Sequence, residues 1–263
     1  MKFDRVMVPV DGSVISEVAV DLAIHSAGSF GTHLTFVYVV DVNEVYTFGS
    51  VDGGELESYK MRAEGKMFLE MASKKAASAG IEHETRLEEG VPWQIICEMS
   101  REQDMMILGV TGKSGPRFGK VGSTAEKIIE NAFCPVLTLK SGSNRIKDIL
   151  LPVSNENMAA IDVAIETAKR VQGHITVLSV KGKDDPDELV KSVAGKISAA
   201  GVDVSTQISA GRPEDIIAGQ SGMYDLVVMG TEGRRGLKKI LNGSVAESVM
   251  VNASCPVTIV RDY

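Results

Sequence analysis

Gly109, Gly112 and Gly122 are followed directly by Ser123, in the spacing Gly-x2-Gly-x9-Gly-Ser, and that spacing returns at Gly230, Gly233, Gly243 and Ser244. Each set follows a short apolar run and precedes a segment of helical character, giving the order strand, glycine loop, helix N-terminus. Glycine lets a backbone approach a ligand closely, and the open N–H groups at a helix start, with its dipole, suit phosphate oxygens. Lys113–Val121 holds Lys113, Arg117 and Lys120 and no acid, while Arg234–Asn242 holds Arg234, Arg235, Lys238 and Lys239 and no acid. On a chain of net charge −7, two acid-free basic loops point toward phosphate. A plainer reading stands beside this one. Ser123 with Glu126, and Ser244 with Glu247, have capping-box spacing, which alone would account for each Gly-Ser pair. Two other phosphate motifs are excluded. A P-loop would need a glycine where Ile107 stands, and no G-x-G-x-x-G follows the first apolar run of either copy.

The elements that carry these loops are themselves repeated. Asp104 to Leu139 recurs without gaps from Asp225 to Val260, an offset of 121, with Cys134-Pro135 reappearing as Cys255-Pro256. Nearer the N-terminus the offset is 141, His33 matching His174, so the first copy carries 20 more residues. The surplus falls within Asn43–Gly65, a Gly-rich, acidic stretch that reads as a loop leading into a helix. Strand-like runs at Arg5–Val10, Leu34–Val40, Glu82–Leu87, Met105–Gly109 and Val136–Leu139 alternate with helix-period segments such as Glu17–Phe30 and Trp93–Arg101. Near-continuous apolar strands separated by helices imply an α/β chain of two tandem doubly wound domains. Each would be an open five-stranded parallel sheet with helices on both faces. The polar stretch Ser141–Arg145 places the boundary between domains 1–142 and 143–263. In such sheets ligands sit beyond the carboxyl ends of the strands, where the strand order reverses.

Composition narrows the function. The chain has 263 residues, 44% of them hydrophobic and 24% charged, as in globular proteins. Its negative charge argues against nucleic acid as a partner. With no apolar run of about 18 residues and no secretion-type leader, the expectation is a cytoplasmic protein with no membrane partner. Cys97, Cys134 and Cys255 are widely spaced in apolar segments and read as core thiols. The four histidines show no metal-ligand spacing.

Taken together, the glycine spacing, the Pro-Val-Asp-Gly-Ser start at Pro9–Ser13, the Val39-Val40-Asp41 segment and the Cys-Pro-Val endings resemble the universal stress protein family. Its nucleotide-binding members carry Gly-x2-Gly-x9-Gly-[Ser/Thr]. The resemblance implies an adenine nucleotide, ATP or else ADP or AMP, bound by Pro9, Val10, Asp11, Val39, Gly109, Gly112, Lys113, Gly122, Ser123 and Thr124. Asp11 would lie near the ribose or a Mg²⁺ ion accompanying the phosphates. A second site would use Pro152, Val180, Gly230, Gly233, Gly243, Ser244 and Val245. There, however, Ser154 takes the place of Asp11 and Lys181-Gly182 that of Val40-Asp41, so binding should be weaker or absent. The resemblance further implies a regulatory stress-response protein, pairing of the two copies through their last strands (Val136–Leu139 and Val257–Val260), a homodimer of tandem chains and an unidentified protein partner. The alternatives are a nucleotide-free interaction scaffold and a slow ATP hydrolase. No pairing of base and nucleophile marks a catalytic residue.

Overall fold

The apolar runs become strands because each presents side chains that need cover on both faces, and the intervening amphipathic segments supply that cover. The computed structural model describes residues 2–28, 31–43, 53–110, 121–140, 146–181, 186–231 and 245–261. These form two compact units, one running from Phe3 to Cys134 and the other from Pro135 onward, with Lys2 and Val121 grouped with the latter.

The first unit contains β1 (Arg5–Pro9), α1 (Val14–Ala27), β2 (His33–Asp41), α2 (Gly53–Ser78), β3 (His83–Gly90), α3 (Pro92–Met99), β4 (Met105–Gly109) and α4 (Ser123–Asn131). Its strands lie in the order β3-β2-β1-β4, every neighbouring pair parallel. The strand order reverses between β1 and β4. Helices α1 and α2 pack together, as do α3 and α4, the two layers expected from right-handed crossovers running in opposite directions along the sheet. Helix α1 starts where Ser13 accepts a hydrogen bond from the Ser16 N–H, and it buries Ala19, Val20, Leu22, Ala23 and Ala27.

The second unit contains β5 (Val136–Leu139), β6 (Asp148–Pro152), α5 (Met158–Val171), β7 (His174–Val180), α6 (Pro186–Ala199), β8 (Asp203–Ser209), α7 (Pro213–Gln220), β9 (Leu226–Thr231), α8 (Val245–Asn252) and β10 (Val257–Arg261). The order is β5-β10-β9-β6-β7-β8, parallel throughout except that β5 runs antiparallel to β10, with Leu137 opposite Thr258. The last strands do pair, as the resemblance implied.

Identical bonds recur in both copies. Asp104 Oδ2 accepts the N–H groups of Asp4 and Arg5 at 2.9 and 2.8 Å, and Asp225 Oδ2 accepts those of Lys147 and Asp148 at 2.9 Å. Ser100 donates to the Cys97 carbonyl at 2.6 Å and accepts the Phe133 N–H at 2.9 Å. Ser221 does the same with the Ala218 carbonyl at 2.6 Å and the Ser254 N–H at 2.8 Å. Both serines are fully buried. The copies differ in the helix after the second strand, 26 residues in α2 against 14 in α6. The surplus stretch, read as a loop leading into a helix, does run into α2 from Gly53 onward, and residues 44–52 lie outside the described residues. Midway along α2, Gly65 approaches the sheet so closely that a Cβ there would lie 2.5 Å from Tyr38 and 2.8 Å from Leu87.

Ser100→Ala and Ser221→Ala each strand a backbone N–H and should each cost about 1–3 kcal/mol in urea unfolding, against near-neutral exposed controls. The Cys134 thiol offers a second check. Burial, then the charges of Asp104 and Cys97, push it from its ordinary value of 9.0 to about 12. A raised acid favours the fold while protonated, so its contribution is complete below about pH 9 and is lost as pH climbs toward 12. Cys134→Ala should flatten stability over that window relative to wild type.

Candidate functional site

Parallel register brings the predicted residues of the first copy to one edge. Pro9 stands opposite Val37 and Met7 opposite Met106, so the chain just past Pro9 lies between the last residues of β2 and β4. The Val10 N–H donates to the Val37 carbonyl at 2.8 Å, carrying the ladder one step past β1 before the chain turns away. Val39 is half-buried in a strand otherwise largely closed to solvent.

Asp11 sits in a turn built from its own neighbours. Its Oδ1 accepts the Ser13 N–H at 2.9 Å, an Asx turn leading into α1. Gly12 follows at φ 78°, a conformation that favours glycine, with the Phe68 ring occupying the space where a Cβ would be. Phe68 stacks on Tyr38, ring centroids 6.4 Å apart, so α2 braces the turn from behind. At the far end of β3, the Arg62 guanidinium pairs with Glu89. Among the described residues Asp11 Oδ2 has no partner, leaving that oxygen to accept from a ribose hydroxyl or to reach an ion.

The glycine loop is closed at its base. The Gly122 N–H donates to the Val110 carbonyl at 2.9 Å, joining the chain just past β4 to the start of α4. Gly112 and Lys113 lie outside the described residues. Gly122 itself is the N-cap, with no side chain accepting a hydrogen bond there, and the Glu126 N–H bonds the Gly122 carbonyl at 2.8 Å. The capping-box reading of Ser123 with Glu126 is thereby corrected. Ser123 is the first helical residue, one position too late for its hydroxyl to cap. Ser123 and Thr124 are exposed, and among the described residues no side chain caps the start of α4, the arrangement that accepts an anion.

Gly109 has a packing role: a Cβ on it would lie 2.7 Å from Ile15 in the first turn of α1. At Gly230 the corresponding space is filled by the Asn157 side chain, whose Oδ1 caps α5 by accepting the Ala160 N–H at 2.8 Å. In both copies the glycine at or next to the end of the fourth strand lets the first helix start close to the sheet.

The second copy keeps the frame and changes the first loop. The Val153 N–H meets the Leu178 carbonyl at 2.8 Å, the counterpart of Val10 and Val37, so Ser154 follows Pro152 and Val153 as Asp11 follows Pro9 and Val10. Glu156, the carboxylate present nearby, is bound by Lys196 and Ser192 of α6. Those two hydrogen bonds, Lys196 first, hold its carboxyl below the usual range, and they turn it toward α6. Val180 is half-buried at the end of β7, Gly230 lies in β9, and Val245 opens α8. Gly233, Gly243 and Ser244 lie outside the described residues. Just before the glycine loop Thr231 is 5% exposed, and its hydroxyl has no partner among the described residues. Sequence reasoning passed over Thr231 and the caps Ser13 and Asn157. The caps were legible as Ser or Asn ahead of an apolar helical run.

An α/β unit with a parallel sheet whose strand order reverses between β1 and β4 defines the doubly wound class of sheet proteins. Comparison with known proteins narrows it. The model of the Universal stress protein family matches residues 2–140 and 186–261, and the chain belongs to that family. A universal stress protein of Methanocaldococcus jannaschii is 35% identical over 140 residues, 52% of this chain and 82% of that protein. One from Mycobacterium tuberculosis is 25% identical over 285 residues, spanning 97% of this chain and 96% of the relative. The crystal structure of a universal stress protein from Archaeoglobus fulgidus superposes with a TM-score of 0.84 at 19% identity, covering 99% of both chains. Among the described residues no helix is long and apolar enough to cross a membrane.

Gly109→Ala should force α1 away from β4 and lower stability by about 1–3 kcal/mol, measured by denaturant unfolding. Gly230→Ala should displace the Asn157 cap and cost about as much. An alanine tolerated at both positions would show that neither glycine serves packing.

Proposed function

We propose that the chain is a regulatory protein that binds an adenine nucleotide, ATP in the first instance, at the carboxyl edge of its first copy. The supporting observation is the Gly122–Val110 hydrogen bond, which sets a helix start with no side-chain cap among the described residues directly after the basic glycine-rich sequence, together with the turn that holds Asp11 on the neighbouring strand end. The family resemblance assigns ribose and phosphates to Gly109, Gly112, Lys113, Gly122, Ser123 and Thr124, adenine to the first loop and strand two at Pro9, Val10 and Val39, and Asp11 to the ribose or the metal. Asp11 Oδ2 is the carboxylate oxygen that would hold Mg²⁺, an ion that would offset phosphate charge. Lys113 supplies a point charge for a phosphate.

The second copy, residues 143–263 against 1–142 for the first, binds nucleotide weakly or not at all. Ser154 offers no carboxylate, and Glu156 is committed to α6. Pro152, Val180, Gly230, Gly233, Gly243, Ser244 and Val245 keep the outline of a site without that acceptor. A homodimer of chains and a protein partner sensitive to occupancy complete the reading, in which the nucleotide acts as a signal and not as a substrate.

Denaturing extraction of purified protein, followed by chromatography of the released nucleotide, should recover a single adenine nucleotide per chain. In titrations with ATP and Mg²⁺, Asp11→Ala should weaken binding about tenfold or more, equivalent to about 1.4 kcal/mol, and Gly122→Val should abolish it. Recovery of two nucleotides per chain would overturn the asymmetry. No recovery and no binding would overturn the nucleotide reading.

A further inference from the structure

Away from the carboxyl edge, the opposite ends of β7 and β8 bring together four side chains that the nucleotide reading does not use. His174 stands in register with Asp203, and Thr176 with Ser205, so all four side chains share one face of a parallel pair. Asp203 Oδ2 lies 3.0 Å from His174 Nδ1, and His174 Nε2 lies 2.9 Å from Ser205 Oγ. Thr176 Oγ1 is 3.1 Å from the same serine oxygen. This is the order of an acyl-transfer triad: carboxylate on Nδ1, hydroxyl on Nε2.

We propose that Asp203, His174 and Ser205 form a hydrolytic site for small activated carboxylic esters, separate from the nucleotide site. The carboxylate accepts the Nδ1 proton and so fixes the tautomer, leaving the Nε2 lone pair to receive the Ser205 proton. Thr176, buried and within hydrogen-bond distance of Ser205 Oγ, can donate to that oxygen while Ser205 donates to His174, and so holds the hydroxyl in place. Asp203 is a positioning residue; His174 and Ser205 are the catalytic ones.

The oxyanion donor comes from the strand edge. β8 ends the sheet, and the Lys181 N–H bonds the Ser209 carbonyl. Backbone groups alternate along a strand, so Ser209, Gln207 and Ser205 face β7 and the Thr206 N–H points to the open edge. That N–H belongs to the residue after the nucleophile, a position from which an oxyanion can be bonded. Reaction begins as Ser205 Oγ bonds the ester carbonyl carbon while its proton passes to His174 Nε2. The ester C–O bond then breaks, and the alcohol leaves with that proton. Water next attacks the acyl-serine, giving its proton to His174, and the acid departs as the serine oxygen recovers a proton. The open surface, with Asp203 85% exposed on its side chain, restricts the substrate to a small acyl group with a good leaving group.

The first copy is an internal control. His33 lies 3.6 Å from Glu82, repeating His174 with Asp203, but Thr35 donates to Glu84 at 3.4 Å where the second copy has Ser205. The frame is shared and the nucleophile is present in one copy.

The test uses the full chain with p-nitrophenyl acetate. Wild type should release p-nitrophenolate in a burst with slow turnover, and peptide mass spectrometry should place the acetyl group on Ser205. Ser205→Ala should abolish the burst, and His174→Gln should slow acylation about 100-fold, with circular dichroism and melting unchanged in both. Ser205→Cys should restore acylation at that position. Asp203→Asn should slow the burst without moving the label, and Asp203→Glu should recover most of the rate. A burst persisting in Ser205→Ala, acetyl found on lysine or another residue, or a wild-type rate no greater than that of free imidazole would overturn the proposal.

Discussion

A parallel strand covered by helices on both faces has only its two ends left for polar chemistry. Every other assignment in this chain follows from that. Met7, Val8, Leu150 and Leu151 are sealed, so hydrogen-bonding side chains can meet a ligand only where the ladder stops. The register of β1 with β2 and β4 then decides which residues stop together, and it selects Asp11, Val39 and the start of the glycine loop. In the second unit, at the amino ends of the strands, the register of β7 with β8 gathers His174, Asp203 and Ser205.

Much of this could be read from sequence. All five strands of the first copy fall within a few residues of their apolar runs, and α1 was displaced by only three residues toward the N-terminus, to begin after its Ser13 cap. The offset of 121 foretold the duplicated Ser100 and Ser221 networks without revealing them, because a buried serine carries no periodic signal. The acidic stretch after β2 read as a loop leading into a helix, and α2 follows from Gly53, but its packing through Gly65, Phe68 and the Arg62–Glu89 pair lies beyond local propensity. Ser123 misled for a related reason. Capping-box spacing fits it, but the hydrogen bond from Gly122 to Val110 starts the helix one residue sooner. The site residues Gly112, Lys113, Gly233, Gly243 and Ser244 rest on spacing and resemblance alone.

The two copies show how a shared frame tolerates different chemistry. The Val10–Val37 and Val153–Leu178 hydrogen bonds are both 2.8 Å, whereas the side chains in the first loops do opposite things: Asp11 folds back on Ser13, its Oδ2 without a partner among the described residues, while Glu156 reaches across to Lys196 and Ser192. Backbone geometry is conserved between them because it depends on strand register. Side-chain direction is not, because one neighbouring lysine suffices to redirect it.

β5 belongs by sequence to the first copy but folds antiparallel beside β10, among the strands of the second. The segment that was duplicated and the segment that folds are thus offset by one strand. A gene cut at the repeat boundary would divide a β-ladder, and the fragment ending near residue 142 would carry Val136–Leu139 as a bare apolar edge, a surface that invites pairing with another chain. Fusion into a single polypeptide removes that search for a partner, since the strand that completes the second sheet arrives already attached.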